Sequence, residues 1–235
     1  MLSKKTVFTA LILFSICFSI LYAGDTAVFV DLGFSPDGRT YMFGQYGVLA
    51  PPSLRPWAEL FVVDVASNTF VQNGRVSHTE NTPINAGQDG SGTLYRLLAS
   101  NSSLTTRYSI NHQNQGLPLY ISRDVNPPTR GERIEFRDFI SGRSFVAQLI
   151  PTITGTGIGV RSSFYINLEV RSSTGQVRTY TVGTPSVIRQ RIEQYNIKRV
   201  FLDPTGTSIV FVIEMKRVAD NNSHDIRYMV EVLRF

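Results

Sequence analysis

Histidine is the residue type that most often indicates a metal or acid–base site, and the chain has three: His78, His112 and His224. Each falls in a segment that is predicted to be polar loop, and none has a second histidine at the spacing of a metal-ligand pair. A metal site would need distant loops to converge, whereas isolated histidines in surface loops are common. We therefore predict no metal site and no cofactor.

Paired carboxylates could serve a hydrolase, since glycosidases place two acids on either side of the bond they cleave. Glu132 and Glu135 form such a pair in the sequence. If Glu135 lies on a strand beside Arg133 and Arg137, ion pairing explains the pattern more simply. The sequence also lacks His-Glu-x-x-His, Gly-x-Ser-x-Gly, a Walker loop and a cysteine pair. We therefore predict no catalytic residues.

Two short segments resemble ligand loops but fit structural roles better. Residues 153–159 carry three alternating glycines, which differs from the Gly-x-Gly-x-x-Gly pattern of dinucleotide binding and leads toward a strand. Residues 89–93 offer one carboxylate, Asp89, where a calcium loop uses several. We predict a strand connection for the first segment and a helix start capped by Ser91 for the second.

An aromatic side chain beside a proline-rich loop is the best candidate for a partner contact. Trp57, the only tryptophan, follows Arg55 and Pro56 at the end of residues 50–56, which contain three prolines. Proline segments are stiff and combine well with aromatic rings in recognition. We predict that these three residues contact a partner. The alternative is that Trp57 packs back over the edge of its own sheet.

A repeat at the two ends of the chain indicates the elements that carry these residues. Residues 32–43 and 200–211 each predict strand, tight turn and strand, with structural turns at Pro36, Asp37 and Gly38 and at Pro204, Thr205 and Gly206. Proline presets φ at the first central position, and glycine accepts the left-handed position. Apolar residues then recur with period two. With further strands at 59–65 and 227–232, both ends predict three-stranded antiparallel meanders.

Between the repeats the pattern is less regular. Two hairpins are predicted, from 134–139 with 144–150 and from 164–170 with 177–182, turning at Ser141-Gly142 and at Thr174-Gly175. Short helices are predicted over 93–100 and 186–195, the second entered through Pro185. Residues 72–88 and 111–116 are predicted to be polar loops. The strands number about a dozen.

The N-terminus predicts export. Lys4 and Lys5 precede an apolar run that ends at Ala23, which is typical of a signal peptide cleaved after that residue. We assign residues 1–23 to the signal peptide and residues 24–235 to a single β-rich domain, with no stable transmembrane segment after cleavage. An uncleaved anchor is the alternative, although the run is shorter than the roughly 20 apolar residues that span a bilayer.

Composition and charge then exclude several classes. With 42% hydrophobic residues the chain is too apolar to be disordered, and its only cysteine, Cys17, lies in the predicted signal peptide. Removing Lys4 and Lys5 lowers the basic residues from 23 to 21 against 18 acidic ones, a net charge of +3. The arginines are scattered, so no nucleic-acid partner is predicted.

The turn at residues 34–39 followed by the strand at 59–65 resembles a blade of TolB-type, WD-like β-propeller repeats. The C-terminal copy departs from that pattern, with Asp203 for serine and Thr205 for aspartate. Over its mature length the chain also resembles a family of predicted secreted bacterial proteins, largely spirochaetal, of unknown function. The residues that carry this resemblance are 32–38, 46–47, 62–65, 195–197 and 204–206. It implies export and a β-rich fold.

The sequence therefore predicts a mainly β fold, with antiparallel propeller-like meanders in one domain and one or two short helices. A β-sandwich is the alternative, because even four complete blades need sixteen strands. The predicted function is that of an exported, non-catalytic periplasmic or secreted scaffold that binds a protein or another cell-envelope partner. The alternatives are a periplasmic hydrolase acting on an envelope glycan and an assembly factor of an envelope complex.

Overall fold

The computed structural model describes residues 24–122 and 133–235. The predicted signal peptide with Cys17 and Ala23 lies outside these residues, and so does Glu132. Within them the chain forms thirteen strands, two short α-helices and one 3-10 turn. The strands are β1 (Val28–Phe34), β2 (Thr40–Val48), β3 (Pro56–Asp64), β4 (Thr69–Thr79), β5 (Leu117–Ile121), β6 (Arg133–Arg137), β7 (Ser144–Thr154), β8 (Arg161–Arg171), β9 (Val177–Val182), β10 (Arg189–Gln190), β11 (Ile192–Leu202), β12 (Ser208–Val218) and β13 (His224–Arg234). The helices are α1 (Ser91–Ser100) and α2 (Ser102–Arg107), and the 3-10 turn is Gly157–Gly159.

The strands form three antiparallel sheets. The first sheet is a simple meander in the order β1-β2-β3-β4. The second has the order β6-β7-β8, with β9 and the short β10 pairing along different parts of β8. The third has the order β5-β11-β12-β13, so β5, from the middle of the chain, pairs with strands made much later.

The third sheet is the central layer, because both of its faces are apolar. Phe201, Val210 and Val212 pack against Phe43 and Phe61 of the first sheet. On the opposite face, Ile197 of β11 and Ile209 and Phe211 of β12 lie in one core cluster with residues of the second sheet, including Phe145 and Phe164. Helix α1 covers the outer face of the first sheet through Leu94 and Leu97. The layers therefore stack in the order helix, first sheet, third sheet, second sheet.

Most of the predicted elements are confirmed. The fold is mainly β, both terminal meanders form, each with a fourth strand, and both central hairpins pair as predicted. Residues 153–159 connect β7 to β8, as predicted. The prediction of a loop over 72–88 is wrong in its first part, because β4 extends to Thr79. Most side chains of β4 are exposed, so its polar sequence hid the strand.

Two helix predictions needed correction. The helix predicted over 186–195 is wrong, because Arg189–Gln190 and the start of β11 are strands. The pairing of β11 is irregular between Ile192 and Gln194, so Ile192 and Tyr195, three residues apart, both reach the core. Apolar residues three positions apart are also typical of one face of an α-helix, which explains the wrong prediction. Helix α1 forms, but Ser91 is its first residue, and Gly90 is the N-cap, so the predicted Ser91 cap is wrong.

The two predicted turns lie side by side, and the second sheet contributes a third. In each turn the first residue pairs its backbone with the residue five positions later: Ser35 with Thr40, Asp203 with Ser208, and Asp138 with Arg143. Gly38 lies against the Asp203 carboxylate, and Arg143 Nη2 donates to the Gly206 carbonyl over 2.9 Å. We call the end of the molecule that carries these turns the turn end.

The two turn glycines should respond differently to valine. Both have positive φ, +65° at Gly38 and +69° at Gly206, so a Cβ is strained at either position. A Cβ at Gly38 would also lie 2.7 Å from Asp203 Oδ2, whereas at Gly206 the nearest atom is 3.5 Å away. We expect Gly206→Val to lower the free energy of unfolding by about 1–2 kcal/mol and Gly38→Val by about 2–4 kcal/mol. Urea denaturation checks this; equal losses would contradict the contact with Asp203.

Candidate functional site

The structure places the predicted partner residues mainly inside the protein. Trp57 is 5% exposed and stands on β3, and Pro56 beside it is also buried. The indole Nε1 donates to Asp25 Oδ2 over 3.1 Å, and the Arg227 guanidinium lies 4.1 Å from the ring centroid. Arg227 also binds both carboxylate oxygens of Asp25. Trp57 thus joins the N-terminal segment to β13.

Arg55 is the member of the predicted set that reaches the surface. Its side chain is half-buried, its Nε donates to Ser53 Oγ over 3.2 Å, and it forms no ion pair among the described residues. The loop before it lies at the opposite end of the first sheet from the turn end. A contact through Arg55 would therefore use a different surface from any contact at the turns.

Among the described residues, the most exposed large apolar side chains lie in the third turn, at two positions that the sequence did not mark as a candidate site. Phe139 is 88% exposed and Ile140 is 83% exposed. The corresponding positions of the other two turns hold Pro36 with Asp37 and Pro204 with Thr205. The turn itself does not require apolar residues at these positions. Two adjacent apolar residues directly before Ser141-Gly142 were the signal that could have identified this site.

The third turn is held in place by its own hydrogen bonds. Asp138 is buried; its Oδ1 accepts from the Ile140 backbone N–H over 2.9 Å, and its Oδ2 accepts from the Ser141 hydroxyl. Arg143 adds an ion pair to Asp138 at 3.5 Å. Burial acts to raise the pKa of Asp138, but the hydrogen bonds from Ser141 and Ile140 outweigh it and lower that pKa. Phe139 and Ile140 are thus displayed from a fixed, charged base.

Arginines surround this apolar pair. Arg137 ends β6 beside the turn, and the strand register places Ser144 between it and Arg171. Arg178 lies near the start of β9 and lines a small cavity together with Arg143 and Phe235. Among the described residues, no ion pair is formed by Arg137, Arg178 or Arg234. The turn end therefore combines exposed apolar side chains with uncompensated positive charge.

A cavity of about 720 Å³ lies next to Phe139, over the polar face of the second sheet. It contains two carboxylates, Glu135 and Glu169, which stand two strands apart on either side of Val146. Each is ion-paired to an arginine on its own strand, Glu135 to Arg133 at 2.7 Å and Glu169 to Arg171 at 3.3 Å. Their side chains are 64% and 41% exposed. The arrangement is a solvated array of paired charges.

A smaller cavity of about 310 Å³ lies between β1 and the β5–β11 edge of the third sheet. Lys198 on its lining is held 3.3 Å from Glu214, which also accepts from the Tyr228 hydroxyl over 3.1 Å. Burial and then the nearby Glu214 raise the pKa of Tyr228. Arg199 lies 5.8 Å from the Phe29 ring centroid and forms no ion pair among the described residues.

Two further carboxylates, those of the buried Glu231 and the half-buried Asp31, support the fold. Glu231 receives hydrogen bonds from Asn68 and from Arg189 Nη2, the latter at 3.2 Å, and so connects all three sheets. Burial raises the pKa of Glu231 although both partners oppose the shift. Burial likewise raises the pKa of Asp31, whose Oδ1 accepts from the Gly33 backbone N–H over 2.9 Å.

The raised pKa of Asp31 predicts a specific pH dependence. A carboxyl whose pKa is higher in the folded than in the unfolded state favours folding when protonated, and this contribution is lost as pH rises through the folded pKa. An asparagine side chain at the same position does not titrate. We therefore expect the free energy of unfolding of Asp31→Asn, taken relative to that of the parent protein, to be higher at about pH 7 than at about pH 3.

Urea denaturation at both pH values tests this expectation, and Asp37→Asn is the matched control. The Ser35 hydrogen bond lowers the pKa of Asp37, so the contribution of that carboxylate is present above its unfolded pKa and lost on acidification. Between the two pH values, the free energies of unfolding of the two variants, each taken relative to the parent protein, should change in opposite directions. Shifts of the same sign would contradict the assignment.

The histidines lie apart. His78 is 3.6 Å from Glu80, His224 is 2.9 Å from Glu193, and His112 Nδ1 is 2.7 Å from the Leu32 carbonyl oxygen. In residues 24–122 and 133–235, no group of three or more His, Cys, Asp or Glu side chains is arranged to hold a metal ion. Over the same ranges no helix has the length and apolar character needed to cross a bilayer.

Comparison with known proteins gives one match. No curated protein and no solved structure matches the chain significantly. Residues 42–234, more than four-fifths of the chain, match a family that is described as a predicted secreted protein. The match runs from within β2 to the end of β13, so it covers strands of all three sheets and the turns at 138–143 and 203–208, but neither β1 nor the turn at 35–40. The chain therefore belongs to the DUF2259 family of predicted secreted proteins.

Proposed function

We propose that this protein is an exported, non-catalytic binding protein of the cell envelope, and that its turn end contacts the partner. The observation that carries the proposal is the exposure of Phe139 and Ile140, 88% and 83%, at a turn that does not need them. Large adjacent apolar side chains on a surface are typical of an interaction site. The proposal includes cleavage after Ala23, which would make residues 24–235 the mature domain.

The rest of the molecule supports a scaffold role. The three meanders stack face to face, as blades do, and we propose that they form a propeller-like support. Stacked sheets fix the relative positions of their turns, because each turn is bonded at its base and two of them are joined through Arg143. A rigid display lowers the entropy lost when a partner binds. Arg55, at the opposite end, is proposed as a second contact.

The charged groups favour binding over hydrolysis. A general acid needs surroundings that keep it protonated near neutral pH, which usually means burial without a cation. Glu135 and Glu169, which share the cavity beside Phe139, are solvated and ion-paired to arginines. The buried Glu231 is enclosed by Asn68 and Arg189, which tie sheets together. A hydrolytic pair would have to be formed by other residues.

Affinity capture from envelope extracts tests the proposal. The mature protein, immobilised through its N-terminus, should enrich envelope components, and Phe139→Ser/Ile140→Ser should reduce that enrichment about tenfold. Tyr95→Ser is the matched control, because Tyr95 is an exposed aromatic residue on α1, away from the turns. An Arg55→Ala arm tests the second contact. Equal enrichment by the parent protein and the double variant would overturn the assignment of the turn end.

A further inference from the structure

We infer that the partner of the turn end is an anionic lipid surface, with Phe139 and Ile140 entering the boundary between headgroups and acyl chains. The inference rests on the proposed function and specifies the chemistry of the partner. It requires an apolar group that can leave water and cations placed to meet anionic headgroups. It also requires a shape in which the apolar group inserts further into the bilayer than the cations. The described residues of the turn end meet all three requirements.

The apolar group is small but fully available. Phe139 and Ile140 occupy the apex of the β6–β7 turn, and in the described residues neither belongs to a hydrophobic cluster of the core. Asp138 fixes the turn through the Ile140 backbone N–H and the Ser141 hydroxyl. The two side chains are therefore presented without rearrangement of the backbone. Amphipathic surfaces bind membranes in proportion to the apolar area that they insert.

The cations stand behind the apex. Arg137 is two residues before Phe139, and Arg234 is across the register from Ser208 at the third-sheet turn. Arg171, across the register from Ser144, is ion-paired to Glu169. Arg143 is pinned at the base of the apex by Asp138 and the Gly206 carbonyl. Among the residues of the three turns, the one exposed acid is Asp37, which Arg39 accompanies at 3.6 Å. Glu135 and Glu169 near Phe139 are each paired to an arginine, so Arg137 and Arg234, unpaired among the described residues, leave a net positive charge around the apolar pair.

The placement of the apolar pair at the apex, with the arginines behind it, favours a bilayer over a protein partner. Anionic headgroups lie above an apolar interior, so a lipid surface accepts apolar side chains at the apex while arginines remain at the level of the phosphates. A protein partner would instead need a pocket shaped for a protruding phenyl ring and a separate acidic rim. Pairing of basic residues with anionic lipids is sensitive to salt, which supplies a diagnostic signature.

Vesicle binding tests the inference. Purified residues 24–235 are mixed with phosphatidylcholine vesicles or with vesicles in which about a third of the lipid is phosphatidylglycerol, and bound protein is measured by sedimentation. We expect at least about fivefold stronger binding to the anionic vesicles, weakened by added salt. Phe139→Ser/Ile140→Ser should lower that binding about tenfold and Arg137→Gln/Arg234→Gln by a similar factor, while Tyr95→Ser should not change it.

A fluorescent variant locates the contact. Trp57 is the only tryptophan and is 5% exposed, so its emission should be insensitive to vesicles. Phe139→Trp should add an emission that shifts to shorter wavelength with anionic vesicles, as its indole leaves water. Thermal unfolding of each variant should match the parent, because the altered side chains are exposed.

The two proposals can fail separately. If the parent protein shows no preference for anionic vesicles, or if the double serine variant binds them equally, the lipid inference is overturned. Capture of an envelope protein that still depends on Phe139 and Ile140 would then leave the proposed function standing. Loss of both dependences would overturn both.

Discussion

Replacing Trp57 with alanine is expected to lower the free energy of unfolding by about 3–5 kcal/mol, the usual cost of truncating a large buried aromatic residue. The indole is packed beneath Arg227, with the ring centroid and guanidinium 4.1 Å apart, and it donates to the Asp25 carboxylate. Its removal would open a cavity where the N-terminal segment meets β3 and β13. Urea denaturation of residues 24–235 measures the loss.

Two controls distinguish packing from surface effects. Trp57→Phe keeps most of the ring but leaves Asp25 without the indole donor, so we expect a smaller loss of about 1–2 kcal/mol. Arg55→Ala, two residues away and half-buried, should remain within about 0.5 kcal/mol of the parent. A Trp57→Ala protein as stable as the Arg55→Ala protein would mean that the indole is not buried in solution.

The second large effect is expected at Asp203, which is 0% exposed at the start of the third-sheet turn. Its carboxylate accepts from the backbone N–H groups of Thr205 and Ser208 and from the Thr205 hydroxyl. Asp203→Ala would leave the buried Ser208 N–H without this acceptor and would also remove the acceptor of the two Thr205 donors, which lie at the surface. We expect a loss of about 3 kcal/mol in the free energy of unfolding, measured by urea denaturation.

The first turn suggests a rescue variant. There Ser35 takes the place of Asp203, and its Oγ accepts from the Thr40 N–H at 3.0 Å and donates to Asp37 Oδ1 at 2.7 Å. Hydroxyl and carboxylate have exchanged positions between the two turns. Asp203→Ser should therefore be destabilising, and adding Thr205→Asp should recover most of the loss by rebuilding the pair. Additive losses in the double variant would refute the equivalence of the turns.

The equivalence of the turns also explains what the sequence could reveal. Pro-Asp-Gly and Pro-Thr-Gly specify backbone dihedrals directly, so residues 36–38 and 204–206 were recognisable as turns. The turn at Asp138 has the same span between its paired backbone groups, but its glycine is one position later and Phe139-Ile140 replaces the proline. Local residue types therefore did not mark the third copy as a repeat, although the hairpin itself was predicted.

Other differences arise from tertiary context. The bulged start of β11 places Ile192 and Tyr195 on one face, a spacing that sequence periodicity assigns to a helix. Strand β4 lies at the edge of its sheet with most side chains in water, so it carries too few apolar residues to show period two. The role of Trp57 depended on Asp25 and Arg227, and Arg227 is far away in sequence. No local pattern could predict that contact.

Tertiary contacts also decided which candidate residues are exposed. Proline and tryptophan suggested a partner contact at residues 55–57, but the burial of those residues depends on which distant segments pack there. Phe139 and Ile140 look like ordinary strand residues until the sheet shows that they project beyond its last pair. Two adjacent apolar residues beside a predicted turn mark a candidate, but their exposure is established only once the core is known, since composition alone does not say which apolar residues lie outside it.

The long sequence separation between partners also governs how the chain can acquire this fold. Asp25 bonds to β13 across about 200 positions, and the central sheet is built largely from the last strands to be synthesised. Neither outer sheet can bury its apolar face until those strands arrive. A topology with so many long-range strand pairings predicts folding in milliseconds to seconds that is completed only when β11, β12 and β13 are available, and a chain that lacks β13 should expose hydrophobic surface.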